Sequence, residues 1–436
     1  MIKLLTENQL KIIKNFNWLF FAYIYRFLIG FITLSFVTKY LGPKEYGIYA
    51  YSLSLFSFVE MFLLFINQEV FKKSVLEDKN ESVLIKTAIL FQFFLAIMII
   101  FIINTLLWQF ELESGYRRSL LSIFSIGLLF RPWDMLSFYF SANMRNDLIS
   151  KTEASTVTLF NGLRLLLVFF KRSLIDFGWA MLFSKIINSL FLFFYFKKSF
   201  RVSLSSARFD SSILYKLIRS SLPLFIATAA TIVFTRIDQV MLGNLLSDEA
   251  VGIYAVVVKL SEPWIFIAAI LTQSVYPDLV RRFRENKENF EYKVKKTLCI
   301  LFYISLAIIL GTQIFGEFVI NLVFSSQYSE SIPLLKVHIF YLIFIYWTHV
   351  TNQYDVINGV THITLIKTVA ASVVNVLLNI FLIERIGVIG ASYATIASYS
   401  LSSFFINLCF QKTRRLFVLQ LESLLFWRIT WLHKKN

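Results

Sequence analysis

Five basic side chains stand well inside runs long enough and apolar enough to cross a bilayer: Arg26, Arg131, Lys185, Arg236 and Lys259. A cation at the bilayer centre costs at least about 2.5–3.5 kcal/mol on insertion scales. A chain that places several there is expected to use them to hold something negative, so the chemistry indicated is movement of an anionic solute through the membrane interior. Acids stand among these cations. Arg131 and Asp134 are three residues apart around Pro132, and Lys259 and Glu262 share that spacing, so each pair can neutralise itself on one helix face. The spacing favours neutralisation that makes insertion tolerable. The other reading is the lining of a wet cavity, because even a paired charge prefers a bundle interior to lipid. Arg236 and Asp238 are two apart, which does not bring side chains face to face on a helix, so each needs water or a partner from elsewhere. Asp238 is the first candidate for a coupling-ion site, weighed against an interhelical salt bridge. Glu60 and Glu262 join it as candidates. Arg26 is read as a substrate contact, or else as a cation paired to an acid of another helix. Glu60, midway along the next span, is the expected acceptor for it. Lys185 has no partner on its own helix, while Arg164, Lys86 and Lys367 lie near span ends, where long side chains can snorkel.

These side chains need long apolar helices to hold them, and the composition supplies them. Of 436 residues 57% are hydrophobic, with 48 Phe and 6 Pro, against about 45–50% apolar in soluble domains. At about 20 residues per crossing, twelve spans are predicted: 16–38, 47–68, 84–109, 119–141, 152–170, 174–196, 222–243, 250–275, 297–323, 333–354, 364–383 and 388–410. The boundary at Lys171 and Arg172 is the hardest to place. The first apolar run, from Phe16, is too long for a signal core and lacks a small-residue cleavage site, so it is expected to stay as the first helix. Pro263 falls inside the eighth span and should bend it, whereas Pro223 is expected to open the seventh. His338 and His349, in the tenth, read as structural or interfacial rather than as a proton relay.

The formal charge of +16 would fit nucleic acid, but its distribution excludes that partner. Roughly 27 Lys and Arg fall in the N-terminus, the even-numbered loops and the C-terminus, against roughly 8 in the odd-numbered loops. The positive-inside rule then places both termini in the cytoplasm. The basic segments Lys197 to Arg219 and Arg281 to Lys296 read as topology signals attracted to anionic lipid heads. Trp427, Arg428 and Trp431 in the tail suit a helix lying in the interface. Cys299 and Cys409 have no Cys or His at ligand spacing, so disulfide and metal readings are poor. No GxxxxGK[ST] loop is present, which argues against direct ATP drive. Short outer loops leave little room for a catalytic domain. A non-enzymatic role without a cofactor is expected.

The chain also repeats itself. Gly47-Ile48-Tyr49-Ala50 recurs as Gly252-Ile253-Tyr254-Ala255, each between the first and second span of a half. A weaker echo links Asp176-Phe-Gly-Trp-Ala180 with Val388-Ile-Gly-Ala-Ser392, each opening the last span of its half. The expected organisation is all-α: a polytopic protein of about 12 transmembrane helices in two pseudo-symmetric six-helix lobes. The lobes are 1–200 and 221–412, with a cytoplasmic linker at 201–220, flexible or a surface helix, and a basic amphipathic tail at 413–436. Six spans per half keep both halves in one orientation, related by an axis along the membrane normal.

The segment Tyr40-Leu-Gly-Pro-Lys-Glu-Tyr-Gly-Ile-Tyr-Ala50 resembles the signature after the first helix of Wzx-type polysaccharide-unit flippases, which belong with the MATE exporters to the MOP superfamily. The likeness continues at Ser221-Leu-Pro-Leu-Phe225, Arg236-Ile-Asp-Gln-Val-Met-Leu-Gly243, Val251-Gly-Ile-Tyr-Ala255 and Gln273-Ser-Val-Tyr-Pro277. It implies a MATE-like pair of lobes around a cavity open alternately to each side. As cargo it implies an undecaprenyl-diphosphate-linked oligosaccharide, an O-antigen or capsule repeat unit, moved across the bacterial inner membrane. By that likeness Arg26, Arg236 and Lys259 line the cavity. Membrane lipids, a polysaccharide polymerase and a chain-length regulator are the implied partners. The absence of a thirteenth and fourteenth span departs from lipid II flippases of the MurJ type. Two rivals stay open: a MATE-type cation or drug antiporter, whose cavity should be lined by acids, and a membrane-embedded polymerase, which needs a sizeable catalytic loop.

Overall fold

In a computed structural model of the protein, residues 7–77, 80–109, 115–204 and 207–425 are described, with side chains from Tyr25 onward. Every regular element among them is helical. Nine segments among the described residues are long and apolar enough to span a bilayer. Three further crossings complete the expected twelve. One is the second crossing within Tyr25–Glu77, which the break at Gly42 divides, and the other two are the helices that follow. The helix Asn146–Phe169 is rich in polar residues, and Val388–Ser403 is short.

The breaks in these helices place the charges. Helix Glu7–Glu60 holds the first two spans, joined at Gly42, whose φ of 70° and ψ of 174° a glycine adopts without a Cβ clash. That helix ends on Glu60 and continues as a 3-10 turn, Met61–Phe65. The fourth span is broken by the 3-10 segment Gly127–Asp134 around Pro132. The eighth is broken by Glu262–Trp264, where Pro263 removes a backbone donor as expected. Glu60, Arg131, Asp134 and Glu262 therefore all sit where a regular helix gives way. Pro223 differs from its expected place. The helix starts earlier, at Ser211, so proline lies inside Ser211–Leu245. Asp210 sets that start by accepting from the amides of Ser212 at 2.8 Å and Ile213 at 3.2 Å. The Ser212 hydroxyl and these two amides hold the Asp210 carboxyl below the usual carboxylate range.

The chain divides into two compact units, Met1–Ala229 and Ala230–Asn436. The division falls within helix Ser211–Leu245 rather than at 201–220. The reason lies in what this helix touches: Ser221 Oγ accepts from the Asn67 amide at 3.0 Å, and Phe225 stacks on Phe65 at 4.1 Å. The linker is also tied down, since Lys86 donates to the Ala207 carbonyl at 2.7 Å and Asp210 N donates to Thr87 at 3.0 Å. Ser205 and Ser206 lie outside the described residues. So do Trp427, Arg428 and Trp431, the residues on which an interfacial tail was expected. The described part of the tail, Arg414–Ser423, packs on the second unit with Leu416 and Leu419 buried. Lys295 pairs with Glu422 at 3.1 Å and Arg415 with Glu291 at 2.7 Å.

The weak echo between halves has a steric cause. A Cβ on Gly178 would come 2.7 Å from Leu120 Cδ2, and one on Gly390 would come 2.5 Å from the Leu382 carbonyl. Lipid tails are as apolar as leucine, so helices in a bilayer associate through close packing of this kind.

Candidate functional site

In the first unit four charges from the second, fourth and sixth spans meet. Glu60 Oε1 takes Lys185 Nζ at 2.9 Å and Arg131 Nε at 3.2 Å. Arg131 also pairs with Asp134, as its spacing predicted. Asn188 donates to the other Asp134 oxygen at 3.1 Å. Ser189, one turn beyond Lys185, donates to the Phe130 carbonyl at 2.9 Å, fixing the sixth span against the broken fourth. Two cations and two carboxylates cancel. Arg26 is not in this group. It pairs with Glu153 of the fifth span at 2.7 Å, so the expected Arg26–Glu60 bridge is replaced by two others. Helix packing decides this: the first span lies along the fifth, as the hydrogen bond between Tyr25 and Thr158 at 2.6 Å records.

In the second unit Arg236 and Lys259 converge on one carboxylate, Glu262, at 3.5 and 3.7 Å. The trio carries a net positive charge. Its pairs are loose, and their side chains are a third to almost half exposed (Arg236 32%, Lys259 45%). Protein therefore encloses neither cation. One residue after Ile237, on a different face, Asp238 is 5% exposed. It accepts from Tyr254 at 2.8 Å, Thr395 at 2.6 Å and Asn379 at 2.6 Å. No cation pairs with it among the described residues. The expectation that Arg236 and Asp238 find separate partners holds. Tyr399 packs on the rings of Phe234 and Tyr341.

Several participants were missed in the sequence. Asn375 and Asn379, one turn apart in an apolar span, were a visible signal, and Tyr254 stands inside the repeated Gly-Ile-Tyr-Ala motif. Glu153 and Asp355 carried none. Lys367 does not snorkel: it pairs with Asp355 at 2.7 Å, buried on both sides. Arg164 is buried as well, over the Phe160 ring. His338 is enclosed between the rings of Tyr254 and Tyr341. No group of three or more His, Cys, Asp or Glu suited to a metal ion is found among the described residues.

With this geometry established, three kinds of comparison bear on the chain. A family model described as "Polysaccharide biosynthesis protein" matches residues 36–333. The chain is 21% identical over 401 residues to a putative O-antigen transporter of Shigella flexneri, covering 88% of this chain and 94% of the relative. It is 24% identical over 344 residues to the capsular polysaccharide biosynthesis protein CapF of Staphylococcus aureus, covering 76% and 82%. Its fold is similar to an inward-facing multidrug resistance MATE family transporter of the MOP superfamily, with a TM-score of 0.70 at 15% identity over 94% of this chain and 96% of that one. It is also similar to the lipid II flippase MurJ in an inward closed conformation, with a TM-score of 0.69 at 14% identity over 95% and 92%.

Proposed function

The chain belongs to the polysaccharide biosynthesis protein family, and from that premise we propose that it is a flippase. Its cargo is an undecaprenyl-diphosphate-linked oligosaccharide repeat unit, for O-antigen or capsule, moved across the bacterial inner membrane by alternating access. The names of the curated relatives support the cargo. The observation that carries the reading is the convergence of Arg236 and Lys259 on the single carboxylate of Glu262, which leaves positive charge within reach of a ligand. A diphosphate offers paired oxygens to the guanidinium fork and a compact negative charge to the ammonium. Arg26, Arg131 and Lys185 are further contacts, each able to exchange its carboxylate for phosphate. The polyprenyl tail stays in lipid while the head crosses.

Asp238 is the coupling-ion residue, with Glu60 and Glu262 as secondary acids. Three neutral donors, and no cation among the described residues, around a buried carboxylate leave it able to take a proton or a small cation. The ion gradient or membrane potential, worth about 2.3 kcal/mol per charge per 100 mV, drives the cycle. Both termini are cytoplasmic, and a polymerase and chain-length regulator act on the delivered unit. No bond is made or broken by the protein.

Deleting the gene tests the reading. The lipid-linked unit should accumulate where a periplasmic, membrane-impermeant sugar label cannot reach it. Single units displayed outside without long chains would instead identify a polymerase. Cation-dye efflux from cells making only this protein would identify an exporter.

A further inference from the structure

The repeat that relates the halves also relates two buried polar groups of opposite sign. Asp238 precedes Gly252 of the second motif by fourteen positions, and Thr33 precedes Gly47 of the first by the same fourteen. Tyr254, which donates to Asp238 at 2.8 Å, corresponds to Tyr49. Fourteen positions before Gly390 is Val376, next to Asn375 and close to Asn379 of the Asp238 network. Fourteen before Gly178 is Arg164. The first unit thus has threonine where the second has its carboxylate, and arginine where the second has asparagines.

Two contacts within the first unit fix the register of the first span against the fifth. Tyr25 bonds Thr158 at 2.6 Å, a separation of 133, and the Tyr40 hydroxyl donates to the Arg172 carbonyl at 2.8 Å, a separation of 132. Between these two fixed points Thr33 falls level with residues 165–166 of the fifth span, one or two positions from Arg164 in register. The Tyr49 phenol lies within reach of the Arg164 charge, and among the described residues it donates only to the thioether of Met181 at 3.9 Å, a weak acceptor.

What these groups have in common is unused donor capacity. Thr33 is fully buried, and its hydroxyl has no hydrogen-bond partner among the described residues. Arg164 is 8% exposed, its Nε is likewise unpartnered, and its contact is the face of Phe160 at 5.2 Å. No carboxylate pairs with it among the described residues. Arginine cannot shed its charge by losing a proton. A buried, uncompensated guanidinium is costly, and a counter-anion offsets that cost. In the second unit a phenol, a hydroxyl and an amide all point at a carboxylate carried by the chain. In the first unit the corresponding positions carry a phenol, a hydroxyl and a guanidinium, and no carboxylate pairs with the guanidinium among the described residues.

We propose that the first unit contains a binding site for a small inorganic anion of chloride size, formed by Arg164, Thr33 and Tyr49, the charge-inverted counterpart of the Asp238 network. The anion takes the place that the Asp238 side chain holds in the other repeat. None of its residues is among those assigned to the cargo, and it does not depend on the cargo's identity.

Purified full-length protein in detergent, held at constant ionic strength in sodium gluconate, is titrated with chloride, and the thermal midpoint is read by tryptophan fluorescence. Saturating chloride should raise the midpoint of the wild type by about 5 °C, the size expected for a ligand well above its Kd. Arg164→Gln should abolish the rise. Thr33→Asp supplies the anion from the chain, so its midpoint in gluconate should approach that of the chloride-bound wild type and respond no further. A wild type indifferent to chloride overturns the proposal, as does a full response in Arg164→Gln. If Arg164→Gln fails to fold, Thr33→Asp decides, because an undiminished chloride response there also overturns it. Chloride indifference would leave the flippase reading standing, since no cargo enters the assay.

Discussion

Lys367→Met should destabilise the second unit by an amount that can be worked out in advance. Lys367 Nζ lies 2.7 Å from Asp355 Oδ2, with side chains 4% and 0% exposed. Thr364 donates to the same oxygen at 3.0 Å. Methionine keeps most of the lysine's length and packing, so the substitution isolates the charge. Removing one partner of a buried pair costs about 3–5 kcal/mol, because the other charge is left uncompensated. The Thr364 hydroxyl still serves the carboxylate, which points to the lower end, about 3 kcal/mol. For a unit of about two hundred residues each kcal/mol moves the midpoint by about 2–4 °C, so a fall of about 6–12 °C is expected. The assay is thermal unfolding of purified protein followed by tryptophan fluorescence. Lys367→Met with Asp355→Leu removes both charges and should recover most of the loss, since an apolar replacement of a buried pair is often neutral. A single variant within about 2 °C of wild type, or a double variant no better than the single, would refute the reasoning.

Glu60→Lys and Lys185→Glu should each impair surface polysaccharide display, and together regain part of it; recovery stays partial because Arg131 also contacts Glu60. Failure of the pair to improve on either single change would separate the two side chains. Gly390→Val should lower the amount of folded protein in the membrane, because its Cβ alone meets backbone at 2.5 Å, while Gly30→Ala, with open space around it, should not. Equal protein levels in both would show that the hairpin can open to admit the side chain. Asp238→Asn should remove the dependence of transport on the driving ion while leaving Arg236, Lys259 and Glu262 in place; an unchanged ion response would take Asp238 out of the coupling role.

The sequence shows the helices far better than the partners of their charges. Twelve spans, the break at Pro263 and the self-pairing of Arg131 with Asp134 follow from local spacing, because they depend on one helix at a time. Which carboxylate Arg26 meets depends on which helices are neighbours, and hydropathy carries no information on that, so Glu153 was missed. Lys367 illustrates the same limit. Near a span end a lysine can reach out or turn in, and only the presence of Asp355 on the adjoining helix decides. The start of the helix at Ser211 depends on a cap from Asp210, a signal present in the chain but outweighed by Pro223 in the reading of the seventh span. The repeat motif yielded more than was first taken from it, since its tyrosine marks the Asp238 network.

Flipping itself is the most direct test. Proteoliposomes with the purified chain and a diphosphate-linked oligosaccharide, fluorescent on its sugar, report translocation by loss of access to an added quencher or lectin. Each cation lost from the diphosphate contact removes about 1.5–3 kcal/mol, the value of a hydrogen bond to a charged group, so Arg26→Ala and Arg236→Ala should each slow flipping by about 10- to 150-fold in protein of unchanged yield. Wild-type rates from both variants would contradict the claim that these cations carry the cargo's charge across the membrane.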